Sequence, residues 1–113
     1  MNKIIALATV LLLVLAGCSG KYDTLAQCMT EKGTTFYGAF WCPHCTKQKE
    51  SLGNSMKYIN YVECSLPDKS GQTQVCIDAN ITSYPTWEFP DGTRVTGVLS
   101  PEQLSAKSGC ALQ

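Results

Sequence analysis

The chain has 113 residues, 44% of them hydrophobic, and nine Lys and Arg balance nine Asp and Glu to a formal net charge of zero. That balance argues against electrostatic capture of nucleic acid or of an anionic membrane surface, and the length admits one domain. Seven cysteines beside a single histidine make sulfur chemistry the question to settle.

Residues 1–17 read as an export signal. Lys3 carries the early charge, and Ile4 to Leu15 is almost wholly apolar but short for a membrane span. The segment ends Leu15-Ala16-Gly17-Cys18, small residues before a cysteine as in a bacterial lipobox. Cys18 is therefore expected to receive lipid and become the mature N-terminus. An ordinary cleaved signal and an uncleaved anchor are the other readings of these residues. On the lipoprotein reading, residues 18–21 form a lipid-anchored linker and residues 22–113 the folded domain. The location is then the cell envelope, on the secreted side of the inner membrane. That compartment is oxidising, so its cysteines are mostly paired. With Cys18 set aside for lipid, Cys28, Cys42, Cys45, Cys64, Cys76 and Cys110 remain. Six cysteines fit three disulfides, in any of fifteen pairings.

In the expected domain, Tyr22 to Lys32 reads as a helix with Asp23 as N-cap and Gly33 as its stop. Thr34 to Phe40, rich in β-branched and aromatic residues, reads as a buried strand. Pro43 to about Ser55 is predicted as a helix opened by proline, with Lys47, Lys49 and Glu50 on its polar face. Ile59 to Cys64 is a second strand, Asp68 to Gln72 a turn-rich loop, and Thr73 to Ala79 a short helix. Thr86 to Phe89 and Thr93 to Val98 flank Asp91-Gly92, a strong hairpin signal. Ser100-Pro101-Glu102 then opens a last helix, with serine as cap. The order is α-β-α-β-α-β-β-α, an α/β domain.

The stretch Trp41-Cys42-Pro43-His44-Cys45 sits where the first strand passes into a helix. A thiol at a helix N-cap faces unpaired N–H groups and the positive end of the helix dipole, which favour thiolate. Such sites lower a cysteine pKa from about 8.5 toward roughly 3.5–7, and a protonated His44 acts in the same direction. Cys42 is thus the candidate nucleophile, and Cys45, one turn further in, the buried resolving thiol. A reduced thiolate stabilised in this way makes the disulfide more oxidising. A zinc site, a permanent structural crosslink and a copper(I) carrier compete with this reading. Zinc lacks a second close ligand pair, and no methionine or histidine cluster supports copper.

Together, YGAFWCPHC, YVECS, SYPTWEF and TGVLS resemble the thioredoxin-like domain fused to the vitamin K epoxide reductase homologues of bacteria and plants. The resemblance spans roughly residues 25–107. It implies a thioredoxin-like fold, a four-stranded mixed sheet flanked by helices, here without the leading strand of full-length thioredoxins. The transmembrane reductase part has no counterpart in this chain. Tyr84-Pro85-Thr86 matches the cis-proline loop of that fold, which implies that Pro85 is cis and that the backbone at Tyr84 pairs with substrate. Trp41 is expected at the substrate surface and Trp87 in the core. Thioredoxins hold a buried carboxylate six residues before the first active cysteine; Phe36 stands there, and no general base is assigned. Pro43 and His44 form the pair found in strongly oxidising periplasmic thiol oxidants. The resemblance also implies a second disulfide, Cys64–Cys76, either a structural crosslink or a redox relay. Cys28 and Cys110 then pair by elimination, an awkward bond if the first and last helices cover opposite faces.

The implied activity is thiol–disulfide exchange with exported protein thiols by a monomer that needs no cofactor and no metal. The implied partner is a quinone-linked disulfide reductase in the membrane, which would reoxidise Cys42–Cys45. A membrane-anchored reductase or isomerase is the nearest alternative. A thiol metal carrier and a non-catalytic binding lipoprotein are the alternatives from other classes.

Overall fold

The computed structural model describes residues 20–112; the expected signal segment and Cys18 lie outside the described residues. Its elements are α1 (Asp23–Lys32), β1 (Thr35–Gly38), α2 (Pro43–Leu52), a 3-10 helix (Gly53–Tyr58), β2 (Tyr61–Glu63), α3 (Gln74–Asp78), β3 (Thr86–Glu88), β4 (Arg94–Thr96) and α4 (Pro101–Ser108). The predicted order holds, with shorter strands and one added 3-10 helix. The sheet order is β2-β1-β3-β4, β1 running parallel to β2 and antiparallel to β3. This is a mixed, open, four-stranded sheet flanked by helices, consistent with a thioredoxin-like fold.

Two faces of β1 build two cores. Phe36 stacks on Trp87 with centroids 4.7 Å apart and meets Tyr61 edge-on at 5.0 Å. Leu25 and Met29 of α1, Leu52 of α2 and Leu104 of α4 join this main cluster. On the opposite face, Tyr37 and Val62 pack against a smaller cluster of Cys64, Cys76 and Ile81. Helices α1 and α4 therefore share one core. The alternation of β1, Phe36 inward and Tyr37 outward, sets this division.

Several ends follow their local chemistry. Gly33 adopts φ 96 and the Thr34 N–H reaches Met29 O at 2.9 Å, closing α1 in a Schellman-type turn. Ser100 and Gln103 form a full capping box at α4. Gly92, at φ 84, follows a Pro90-Asp91 turn closed by the Gly92 N–H on Phe89 O at 2.8 Å, so the hairpin forms around the expected residues.

Two ends differ from expectation. Asp23 is not the cap of α1: Tyr22 holds that position without a side-chain bond. The Asp23 carboxylate accepts from the Gly20 N–H at 3.0 Å and from the Ser55 hydroxyl at 2.8 Å. The Ser55 hydroxyl accepts from the Tyr22 N–H at 2.9 Å. A tertiary contact thus takes the carboxylate that capping would use. A Cβ on Gly20 would overlap Ser55, so the expected linker is already docked at its second-last residue. Helix α2 stops at Leu52 because Gly53 turns out at φ 54, and the chain continues as the 3-10 helix to Tyr58.

The buried stripe of α2 is Cys45, Gln48 and Leu52. Gln48 is fully buried. Its Oε1 accepts from Trp87 Nε1 at 3.0 Å and Leu99 N at 2.8 Å, while its Nε2 donates to Leu99 O at 2.9 Å. Those bonds tie α2 to β3 and to the entry of α4, beneath the thiols.

Candidate active site

The loop between β1 and α2 turns sharply, with the Cys42 N–H donating to Ala39 O at 3.1 Å. Cys42 is the N-cap of α2 in extended geometry (φ −80, ψ 123), and Pro43 follows at the first helical position. The Cys42 carbonyl accepts from the Thr46 N–H at 3.1 Å. Cys42 and Cys45 are free thiols; Cys42 keeps 8% of its surface exposed and Cys45 none. His44 is exposed on the first turn of α2.

Cys45 lies over Gly38. A Cβ added to that glycine would meet Cys45 Sγ at 3.1 Å and Tyr61 Cε2 at 2.9 Å. Only glycine there lets helix and strand approach so closely. Burial, and next the neighbouring Cys42, raise the Cys45 thiol from 9.0 to about 11, against the Ala39 backbone bond and the Lys49 charge. The two cysteines therefore differ in kind: one is reachable, the other sealed and reluctant to ionise.

Tyr84-Pro85 is a cis peptide bond, and Pro85 is fully buried. The Cys42 thiol points at Tyr84 O, 3.8 Å away. Trp41, 45% exposed, packs edge-on to Tyr84 with ring centroids 6.1 Å apart. Its Nε1 donates to Ser65 Oγ at 2.7 Å. Trp41, Cys42, Pro43, Tyr84 and Pro85 thus meet at one end of the sheet, with Cys45 beneath. Trp87 lies wholly in the core, and Phe36 fills its position with an aromatic ring.

Glu63 belongs to this end too, and sequence reasoning passed over it. Its Oε2 accepts from the Phe40 N–H at 3.2 Å and the Ser65 N–H at 2.9 Å, while Oε1 accepts from Tyr61 OH at 2.9 Å. One carboxylate thereby holds the loop that carries Cys42 to the loop that receives the Trp41 indole. Burial, followed by this acceptor and the nearby thiols, raises the Tyr61 hydroxyl pKa. Strand alternation was the available signal, since Tyr61 and Glu63 share a face and pair in register with Phe36 and Gly38.

The other four cysteines among the described residues form Cys28–Cys110 and Cys64–Cys76, with Cα atoms 5.9 and 5.4 Å apart. The first bond is accommodated because α1 and α4 lie against the same core. Gly109, at φ 75, turns the tail back onto α1, where Lys32 Nζ donates to its carbonyl at 3.0 Å. The difficulty expected of opposite faces does not arise. Cys64 and Cys76 are both wholly buried. An attacking thiolate needs access to sulfur, which favours a crosslink over a relay. Replacing both by serine should lower stability by about 3 kcal/mol, the closure value for a loop of this size, and leave exchange at Cys42 intact. A melting curve with a thiol-exchange assay checks this, and loss of exchange in a folded variant would reinstate the relay.

Among the described residues, no three His, Cys, Asp or Glu side chains converge as a metal-ligand group. No described helix is long and apolar enough to cross a membrane.

No protein-family model matches the chain. It is 40% identical over 93 residues to "Thiol-disulfide oxidoreductase LTO1" of Arabidopsis thaliana, a match that covers 78% of this chain and 24% of that protein. The chain thus spans about a quarter of the length of that curated relative. Over most of its own length, it is related to a thiol–disulfide oxidoreductase.

Proposed function

We propose that the protein is a thiol–disulfide oxidoreductase of the cell envelope, acting through Cys42 and Cys45 as an oxidant of exported protein thiols. The observation that carries this reading is the asymmetric thiol pair at the start of α2, Cys42 slightly exposed and Cys45 sealed. In the oxidised form, a substrate thiolate attacks Cys42 Sγ, a mixed disulfide forms, and Cys45 leaves as a thiolate that takes up a proton. A second substrate thiolate then attacks the substrate sulfur of the mixed disulfide and expels the Cys42 thiolate. Two electrons pass from substrate to protein and the substrate gains one disulfide. The Ala39 N–H and the Lys49 ammonium favour the departing Cys45 thiolate. The Tyr84 carbonyl beside Cys42 offers a backbone acceptor to the substrate chain, and Trp41 offers an apolar contact. His44 lies exposed between the two cysteines on the first turn of α2.

Direction is the part of this proposal that a potential tests. A Cys42–Cys45 potential near −120 mV, measured against glutathione, supports an oxidant; one near −270 mV overturns it in favour of a reductase. Lipidation at Cys18 and reoxidation by a membrane reductase of the vitamin K epoxide reductase type complete the proposal. The anchor would raise the effective concentration of that partner as covalent fusion does. Exported without Cys18 at equal abundance, the domain should accumulate reduced in cells. A fully oxidised Cys42–Cys45 in that form would remove the role of the anchor in reoxidation.

A further inference from the structure

We propose that the cleft between Trp41 and the 65–72 loop is a side-chain pocket for the substrate protein, in which Lys69 selects a carboxylate near the reacting cysteine. This rests on the oxidoreductase reading and adds a substrate class to it. The cleft has a volume of about 470 Å³ and is lined by residues that include Trp41, Ser65, Lys69, Gln72, Ile81 and Tyr84. It shares Trp41 and Tyr84 with the thiol site, and the Tyr84 carbonyl faces Cys42 Sγ. A chain reacting at Cys42 therefore passes its mouth.

The walls are fixed before any substrate arrives. Ser65 holds the Trp41 indole. Gln72 Nε2 donates to Tyr84 OH at 2.8 Å and to Ile81 O at 2.7 Å. The buried Cys64–Cys76 bond closes the base of the loop. A pocket held in this way loses little freedom on binding.

Lys69 is the one charged residue in the lining. Its Nζ lies 5.9 Å from the centre of the Phe40 ring, on the loop that carries the thiol. The neighbouring Asp68 carboxylate does not line the cleft; it is turned onto the N–H and hydroxyl of Ser70, at 3.0 and 2.6 Å. Lys69 also adopts φ 63, a left-handed conformation that disfavours lysine and suits glycine or asparagine. The turn itself, closed by the Lys69 N–H on Leu66 O at 2.9 Å, would form more readily with glycine. What lysine adds at this position is the ammonium.

The test uses the Cys45→Ser protein and cysteine peptides activated as 2-thiopyridine mixed disulfides. The Cys42 thiolate attacks the peptide sulfur, a protein–peptide disulfide forms, and 2-thiopyridone leaves and is read by absorbance. A single Glu, Gln or Lys is scanned through the two positions on each side of the peptide cysteine. At one position Glu should react about three- to fivefold faster than Gln, the scale of one exposed ion pair, and the advantage should shrink in high salt. Lys69→Gly, which suits the turn and keeps the fold, should erase the preference; Lys69→Glu should invert it toward Lys. A preference that survives Lys69→Gly, or none in the parent, overturns the pocket assignment while exchange at Cys42 stands. If no peptide reacts at Cys42, the oxidoreductase reading fails and the pocket falls with it.

Discussion

Cys42→Ser should reduce thiol exchange to the uncatalysed rate, while Cys45→Ser should still attack and then accumulate as a mixed disulfide. The asymmetry follows from burial, since of these two thiols Cys42 alone presents sulfur to an incoming chain. It also follows from ionisation, since Cys45 titrates only near pH 11. In the reduced protein, iodoacetamide at pH 7 should label Cys42 alone until the fold opens. Equal labelling of the two would sink the assignment of roles. Cys45 also gives a pH signature. Its folded pKa lies above its unfolded value, so folded protein holds that proton more tightly. The resulting stability is complete below about pH 9.0 and is lost as pH rises through about 11. Melting temperatures of reduced protein should fall across that window. Oxidised protein, with no thiol at Cys45, should lack this component of the decline.

Replacing both Cys28 and Cys110 by serine should be the most damaging change to the fold. The bond spans a sequence separation of 82, against 12 for Cys64–Cys76. Chain-entropy closure then gives about 4–5 kcal/mol for the longer loop. A domain of this size holds roughly 5–15 kcal/mol in all. At about 4–8 °C per kcal/mol, the melting temperature should drop by about twenty degrees or more. The affected region is known from the contacts: the tail beyond Gly109, the Lys32 bond to its carbonyl, and the seat of α4 against α1. A loss of under about 5 °C would mean that packing around Leu104 holds α4 without the crosslink.

Local signals carried most of the architecture. Gly33, Gly92 and the Ser100–Gln103 pair each act within a few residues, and each ends or opens its element where expected. Cys42 and Pro43 likewise specify the start of α2 by themselves. Tertiary contact governed what the sequence left hidden. Asp23 carries the sign of a cap but turns to Gly20 and Ser55, residues that only the folded chain brings together. Gln48 and Glu63 drew no reading from the sequence because their partners lie far along the chain, Leu99 being 51 residues away and Phe40 23. Periodicity pointed to both, through the Cys45-Gln48-Leu52 stripe and the Tyr61-Glu63 alternation, but polarity masked it. The Cys28–Cys110 pairing depended on α1 and α4 sharing a face, a property of the topology as a whole.

The docking of Gly20 implies an order of maturation. On the proposed lipidation, the peptide bond to be cut precedes Cys18. Two residue steps from there to Gly20 reach at most about 7 Å. A signal peptidase must enclose an extended stretch of chain around its target bond, and a folded domain that begins at Gly20 would stand in its way. If Cys18 is lipidated as proposed, cleavage would therefore belong to the still-open chain, before Asp23 draws Gly20 against Ser55. On that proposal, only Cys18 and Ser19 would stand between the lipid and the docked Gly20. Processing and folding would then be successive stages rather than concurrent ones.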